Sequence, residues 1–528
     1  MIDRYAEKFI VILKELLKSI QIGDSNQEEW QQIKEKIGLQ LHELQEEREL
    51  DNFLLFLRTQ YEDDWNVYKI LLQYMCEFAE KDEIIYELLR CMINEAILNK
   101  EDIYDILQWN QQYVSKGFYL GKHWNIEEDW SMFTYMREYV RQKYDCCHEL
   151  IPVEERDEEF IVVATNQLLG MNHAPTKFVF EFCRIMETVL KKKVLLIVET
   201  FVTDVTYLQE NGMKLEWILC NNYIEKATGN FIYGCEGYEV AGYQILVNDN
   251  SISEMQMLVN SIFEKKPYCV WCFGDNLIFA NLCQQFTTLV YTAFNQGYPG
   301  VPADIVVNYF KRSTIENQDE KRFLEEHGVK VKDIEFVFQY PKAQGEMRRA
   351  DIGITEDAFC IGVIGNRLVS ICSNSFLEVL YHAMSQEEKI HVIFVGGTDE
   401  EFEERVRQKL LYPERIWFIG YQDKLEEVIS ILDIFVNPPQ LGGGTAGILA
   451  LNEGKPVITA ANGDVASFVG EEFICEGIED YEELILRYIR DNEFYREKSE
   501  LARQKAKRMC TTDDEMAEII AGIFDLAD

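Results

Sequence analysis

Residues 437–459 read NPPQLGGGTAGILALNEGKPVIT. Gly442, Gly443 and Gly444 stand together, ahead of Thr445 and an apolar helical stretch. A glycine run costs backbone entropy and packs nothing. It is expected where main chain must come within hydrogen-bonding distance of something bulky and polar. At a strand exit leading into a helix, the first helical amides have no intrahelical partner and attract anions, phosphate above all. Thr445 adds a hydroxyl and an N-cap. A turn that needs positive φ is the simpler explanation, and one glycine would satisfy it. No G-K-[ST] follows, and Lys455 lies ten residues past Thr445, so this is no Walker loop. It also comes too late in the chain for a dinucleotide fingerprint.

A second stretch with chemistry is NQLLGMNHAPTKF (166–178), between an apolar strand and a helix. His173 is one of seven histidines, and imidazole titrates near neutral pH, which suits a general base. A histidine that merely caps the helix is the alternative. Pro175 suits the helix start and Thr176 its first turn. Asp399, in IFVGGTDEEF, reads as a helix N-cap, and Arg348 and Arg349 as partners of surface acids, with lining of the cleft the alternative. Cys269 and Cys272 make a C-x-x-C, but within the strand PYCVWCFG they point to opposite faces. No second pair stands nearby to complete a metal site.

These residues sit in a chain of 528 residues with 52 basic and 92 acidic side chains, a net charge of −40. Such a surface repels nucleic-acid backbones and anionic lipid, and an anionic ligand then needs a locally positive pocket. With 47% apolar and 12% aromatic residues the composition is globular. The start, MIDRYAEKFIVILKELLKSI, carries acids and no small-residue cleavage site. No apolar run approaches a membrane span. A cytoplasmic protein with fourteen reduced cysteines is expected.

Residues 1–148 show apolar positions at i, i+3, i+4 and i+7 and no strand signal, so a separate helical domain is expected there. From 149 to 350 apolar runs alternate with helical stretches: FIVVAT, then FVFEFCRIMETVLKKK, then VLLIVET, with YQILVN, YCVWCFG and TTLVYTAF beyond. Residues 351–528 alternate more regularly still, from FCIGVIG through HVIFVGG, RIWFIG and DIFVN to KPVIT. The expected fold class is α/β, two Rossmann-like domains preceded by an all-α domain. The closing DDEMAEIIAGIFDLAD is expected to pack back across the domains.

DIFVNPPQLGGGTAGILALNEGKPVIT, preceded by RIWFIGYQDKLEEVISILD and CIGVIGNRL, resembles the carboxyl-terminal domain of GT-B glycosyltransferases. The likeness is good over 359–476 and looser over 160–200. GGGTAG is closest to the G-x-T-x-G pattern of the protein O- and N-glucosyl or N-acetylglucosaminyl group, which also carries a helical domain first. The resemblance implies a nucleotide-sugar donor, a UDP-sugar for preference, and no other cofactor. Arg367 would neutralise its diphosphate together with the Gly442–Gly444 amides and Thr445. Three positions depart from the family. Leu441 and Leu449 replace a glutamate pair, and Cys372 replaces a lysine, which leaves the stereochemical course open.

On that reading His173 serves as the general base or touches the diphosphate, with Asn172, Thr176 and Asn276 on the acceptor side. Asp464, after the KPVIT strand, contacts ribose or a sugar hydroxyl, or is a turn aspartate. No D-x-D ends a strand, so metal independence is expected. The expected activity is sugar transfer to a glycan or a protein. The competing readings are an inactive accessory subunit that binds acceptor for a partner transferase, and a nucleotide-sugar epimerase. A homo-oligomer or a complex with that partner is compatible with either.

Overall fold

The computed structural model describes all residues except 1, 23–26, 80, 102–104, 107–108, 111, 114–116, 118–124, 167, 169–173, 202–227, 236, 248–250, 275–276, 293–297, 309–314, 335–341, 441, 462, 510–511 and 527–528. The amphipathic stretches at the amino end form helices α1 (Ile2–Ile22), α2 (Gln27–Glu46), α3 (Leu50–Gln60), α4 (Trp65–Phe78), α5 (Asp82–Leu98) and α6 (Ile126–Tyr144). Local chemistry starts two of them: Asp64 caps α4 by accepting from Val67 N, and Asn125 caps α6 through Glu127 N. Their buried faces share a core with one face of the following sheet, through residues such as Val162, Ile197 and Val270.

That sheet orders its strands β3-β4-β2-β1-β5-β6-β7-β8. The apolar runs supply β1 (Asp157–Thr165), β2 (Lys193–Phe201), β4 (Tyr238–Val247), β5 (Pro267–Phe273) and β6 (Thr288–Thr292). Beyond the expectation come β3 (Gly229–Cys235), β7 (Ile305–Asn308) and β8 (Lys330–Asp333). All pairings are parallel but one: β3 and β4 form an antiparallel hairpin at the edge. Between the strands stand α7 (Ala174–Thr188), α8 (Ile252–Glu264), α9 (Ile278–Cys283) and α10 (Ile315–Glu326). Residue parity on β5 splits the C-x-x-C as expected. Cys269 is buried with α7 on one side and Cys272 with the helical core on the other.

The second sheet contains β9 (Phe359–Ile364), β10 (Ile390–Val395), β11 (Ile416–Phe418), β12 (Ile434–Val436), β13 (Val457–Ala460) and β14 (Ile474–Cys475). Its order, β11-β10-β9-β12-β13-β14, is that of a doubly wound nucleotide-binding sheet. Its helices are α11 (Leu368–Ile371), α12 (Asn374–Gln386), α13 (Glu400–Leu410), α14 (Leu425–Ser430), α15 (Gly444–Asn452), α16 (Asp464–Val469), α17 (Asp480–Arg490) and α18 (Asn492–Met509). The segment that enters this domain is clamped to it. Glu427 accepts the backbone N–H of Gln344, Glu346 and Met347, and Glu453 that of Ala343. Arg349 donates to Asp433 at 2.8 Å and to the carbonyls of Ile431, Glu356 and Ala358. Its partner is thus a half-buried acid inside the domain rather than a surface one, because the guanidinium closes the open ends of two backbone segments, 356–358 and 431–433. Arg348 pairs with the exposed Asp351.

The last helix, α19 (Asp513–Phe524), begins with a capping box between Thr512 and Glu515. It returns to the first sheet. Asp513 takes both terminal nitrogens of Arg184 on α7, and Phe524 packs edge-on against Tyr268 and Trp271. Among the described residues no helix is long and apolar enough to cross a membrane.

Candidate active site

In the second sheet the chain leaves β9 in one direction and β12 in the other, so the carboxyl ends of these adjacent strands flank a crevice. Four loops surround it: Gly365–Arg367 after β9, Gly396–Asp399 after β10, 437–443 after β12 and 461–463 after β13. The glycine run therefore sits at the topological switch point. Arg367 stands opposite it, half-buried and already engaged by the protein, with its carbonyl accepting from Ile371 N.

Two of the three glycines have separate reasons. Gly443 is the N-cap of α15 at φ +94°, left-handed backbone that disfavours any side chain. The expected cap, Thr445, is instead the second helical residue and is half-buried; the cap needs a left-handed turn that threonine resists. Gly444 is packed against α16: a Cβ there would lie 2.4 Å from the Phe468 ring and 3.0 Å from Asp464 Cβ. At Gly447, one turn on, a Cβ would lie 3.1 Å from Val465 Cγ1. Gly442 is buried. Close packing of α15 on α16 thus accounts for the third glycine, and the first amides of α15 remain without intrahelical acceptors.

The loop after β12 is held by residues that the sequence did not single out. Asn437, 1% exposed, donates from Nδ2 to Thr459 Oγ1 at 3.1 Å and accepts Gln440 Nε2 on Oδ1 at 2.9 Å. Its carbonyl takes the Tyr481 hydroxyl at 3.0 Å. Burial raises the phenol of Tyr481 above its usual range, so it acts as a donor. The only available signal was N-P-P after an apolar triplet, which marks a strand end but not a hydrogen-bond hub.

Asp464 opens the first turn of α16 behind Gly463, where its charge complements the helix dipole, and it has partners within the protein. Asp399 caps α13 as expected, accepting Phe402 N at 2.7 Å. Two of the departing positions are core. Leu449 is 5% exposed among Val428, Phe435 and Val465, and Cys372 is 1% exposed, its thiol pushed up to about 12 by burial. Lys455 lies at the opposite end of β13, where Nζ donates to the carbonyls of Ser430 and Leu432.

His173, Asn172 and Asn276 lie outside the described residues, as does Leu441. Thr176 is in the first turn of α7 with no exposed surface, and it already has a partner within the protein. A residue missed from the sequence is Glu199 at the end of β2. Its Oε1 and Oε2 accept the backbone N–H of Ile278 and Phe279, each at 2.8 Å. Burial pushes this carboxyl up to about 7, against the opposing pull of those two bonds. Among the described residues no three His, Cys, Asp or Glu side chains could share a metal ion.

Residues 360–491 match the family described as Glycosyl transferases group 1. No curated protein matches the chain in sequence. Among solved structures, a mutant of the Thermobaculum terrenum O-GlcNAc transferase is 12% identical, with a TM-score of 0.50 over 99% of this chain and 98% of that one. A glycosyltransferase from Rickettsia africae is 13% identical, with a TM-score of 0.48 over 70% of this chain and 99% of that one. Anabaena HepE in complex with UDP and glucose is 14% identical, with a TM-score of 0.46 over 70% and 100% of the two chains. At such identities the T. terrenum likeness speaks to fold alone: helices first, then the two α/β domains of GT-B.

Proposed function

We propose that this chain, whose residues 360–491 match the family described as Glycosyl transferases group 1, moves a sugar from a UDP-sugar to a glycan or protein acceptor without a metal ion. One observation carries the proposal: the glycine run and Arg367 flank the crevice between β9 and β12, where doubly wound sheets bind ligands.

In this reading the diphosphate lies over the amino end of α15. Unpaired amides and the helix dipole favour negative charge there, and Arg367 adds a charge-assisted contact. As the glycosidic bond to phosphate breaks, charge develops on the leaving oxygens, and these fixed donors stabilise it. Thr445 and Asp464 complete the donor side. His173 takes the acceptor proton, with Asn172 and Asn276 on the acceptor side, while the buried Thr176 has no surface to offer. A chain of this charge recruits its donor through that local pocket, and its protein or glycan acceptor by shape rather than by long-range attraction.

The buried Leu449 and Cys372, where the family carries charged groups, favour one second reading: an accessory subunit that retains the fold and lacks turnover.

The test is incubation with a panel of UDP-sugars, with and without EDTA, followed by product analysis. Release of UDP that survives EDTA supports the transferase. Binding without turnover supports the accessory subunit, and interconversion of sugars with no UDP released would mean an epimerase. His173→Ala should then lower turnover at least ten-fold with UDP affinity little changed. Equal loss of both would make His173 structural.

A further inference from the structure

We propose that Glu199 is a positioning residue for the acceptor side of the cleft, fixing the amino terminus of α9 across the end of β1. The inference rests on the transfer reading above. In the larger sheet β1 lies between β2 and β5, and the chain runs outward from there in both directions. The Glu199 side chain therefore spans the switch point of the acceptor-side domain, from the tip of β2 to the helix that follows β5.

The bond pattern is unusual for a helix cap. The N-cap residue of α9 is Leu277, whose side chain caps nothing. The capping carboxylate comes instead from 79 residues upstream and takes one N–H on each oxygen. Glu199 is 1% exposed, and among the described residues it faces the two amides and no cation. The titratable group facing it from α9 is Cys283, whose thiol burial and the neighbouring Glu199 and Cys146 hold well above its usual range, hence neutral. A buried carboxylate without a countercharge is costly, whereas a local serine or aspartate would cap the helix cheaply. What the remote acid adds is a tie between two strand tips. The turn that opens α9, at Ile278 and Phe279, is thereby anchored to β2. From the other side Asn281 holds the same turn, donating from Nδ2 to Leu277 O at 2.9 Å.

An ionised carboxylate accepts both amides on charged oxygens, whereas protonation turns one of those oxygens into a hydroxyl, a weaker acceptor. Turnover is therefore coupled to ionisation of Glu199.

The experiment compares wild type, Glu199→Gln and Asn281→Ala. It measures UDP affinity, UDP-sugar turnover from pH 5.5 to 8.5, and hydrogen exchange of the Ile278 and Phe279 amides. Asn281→Ala loosens the turn without altering the buried charge, and so keeps the test open if Glu199→Gln fails to fold. The expected result is exchange at least ten-fold faster and turnover at least ten-fold lower in both variants, with UDP affinity within two-fold of wild type. An inflection near neutral pH should persist in Asn281→Ala and vanish in Glu199→Gln. Faster exchange with unchanged turnover and unchanged pH profile would reduce Glu199 to a fold cap. Parallel loss of UDP affinity would do the same. Wild-type protein that binds UDP but turns over no donor would overturn the transferase reading and this inference together, whereas an unaffected variant of an active enzyme overturns this one alone.

Discussion

Gly396 and Gly365 meet main chain to main chain: a Cβ on Gly396 would lie 1.9 Å from the carbonyl oxygen of Gly365. Gly396 also sits at φ +131° and donates its N–H to Gly420 O at 2.9 Å. The loops after β9 and β10 are thus fused at the crevice, two residues ahead of Arg367.

Gly396→Ala therefore collides with backbone, which cannot move aside as a side chain would. The expected cost is about 2 kcal/mol or more of stability, with a drop in UDP affinity as the Arg367 loop is displaced. Denaturant melts and calorimetric UDP titration measure both. A variant as stable as wild type would show that the two loops separate easily.

Gly444 presents a different obstacle, the edge of the Phe468 ring. Gly444→Ala overpacks the α15–α16 contact by about 1–3 kcal/mol. Phe468→Leu in the same chain should recover part of that loss, because a smaller side chain vacates the space. Additive effects in the double-mutant cycle would contradict a packing role for the glycine.

Arg367→Ala removes one charge-assisted contact to a diphosphate, worth about 1.5–3 kcal/mol. UDP should bind roughly 10- to 100-fold more weakly, and the loss should shrink at high salt as screening weakens the wild-type contact. Unchanged affinity would place the diphosphate elsewhere.

For Glu199 the folded carboxyl titrates at about 7, against 4.5 for the free group. Folded chains hold this proton between those values and unfolded chains do not, so its contribution to stability falls as pH rises from 4.5 to 7. Once the group is ionised, the total penalty is on the order of 3 kcal/mol. The comparison that isolates it is wild type against Glu199→Gln, since all other acids are common to both. The stability gap between them should narrow or invert above pH 7, where wild type alone carries the buried charge. A gap that does not vary with pH would refute the raised titration.

Much of the second sheet was legible in the sequence because its signals are local. FCIGVIG, HVIFVGG and DIFVN are continuous apolar runs, and Asp399 caps the helix that follows one of them. The strands that escaped notice are β7 and β8, of four residues each, and β14, of two. The third lies under an apolar stretch too short to show a period, and β8 alternates half-exposed residues at a sheet edge. The β3–β4 hairpin was read as a single strand, since its antiparallel partner departs from the surrounding alternation.

The sequence by itself determined the alternation of strand and helix and the placing of a glycine run at a strand exit, since propensity, caps and periodicity reside in neighbouring residues. Only the tertiary structure decided that Gly443 serves a left-handed cap while Gly444 makes room for Phe468, and that Leu449 and Cys372 are core. It alone brought Glu199 to an amide pair 79 residues away. Strand order and close packing join residues remote in sequence, and one chain read in order carries no measure of which of them will touch.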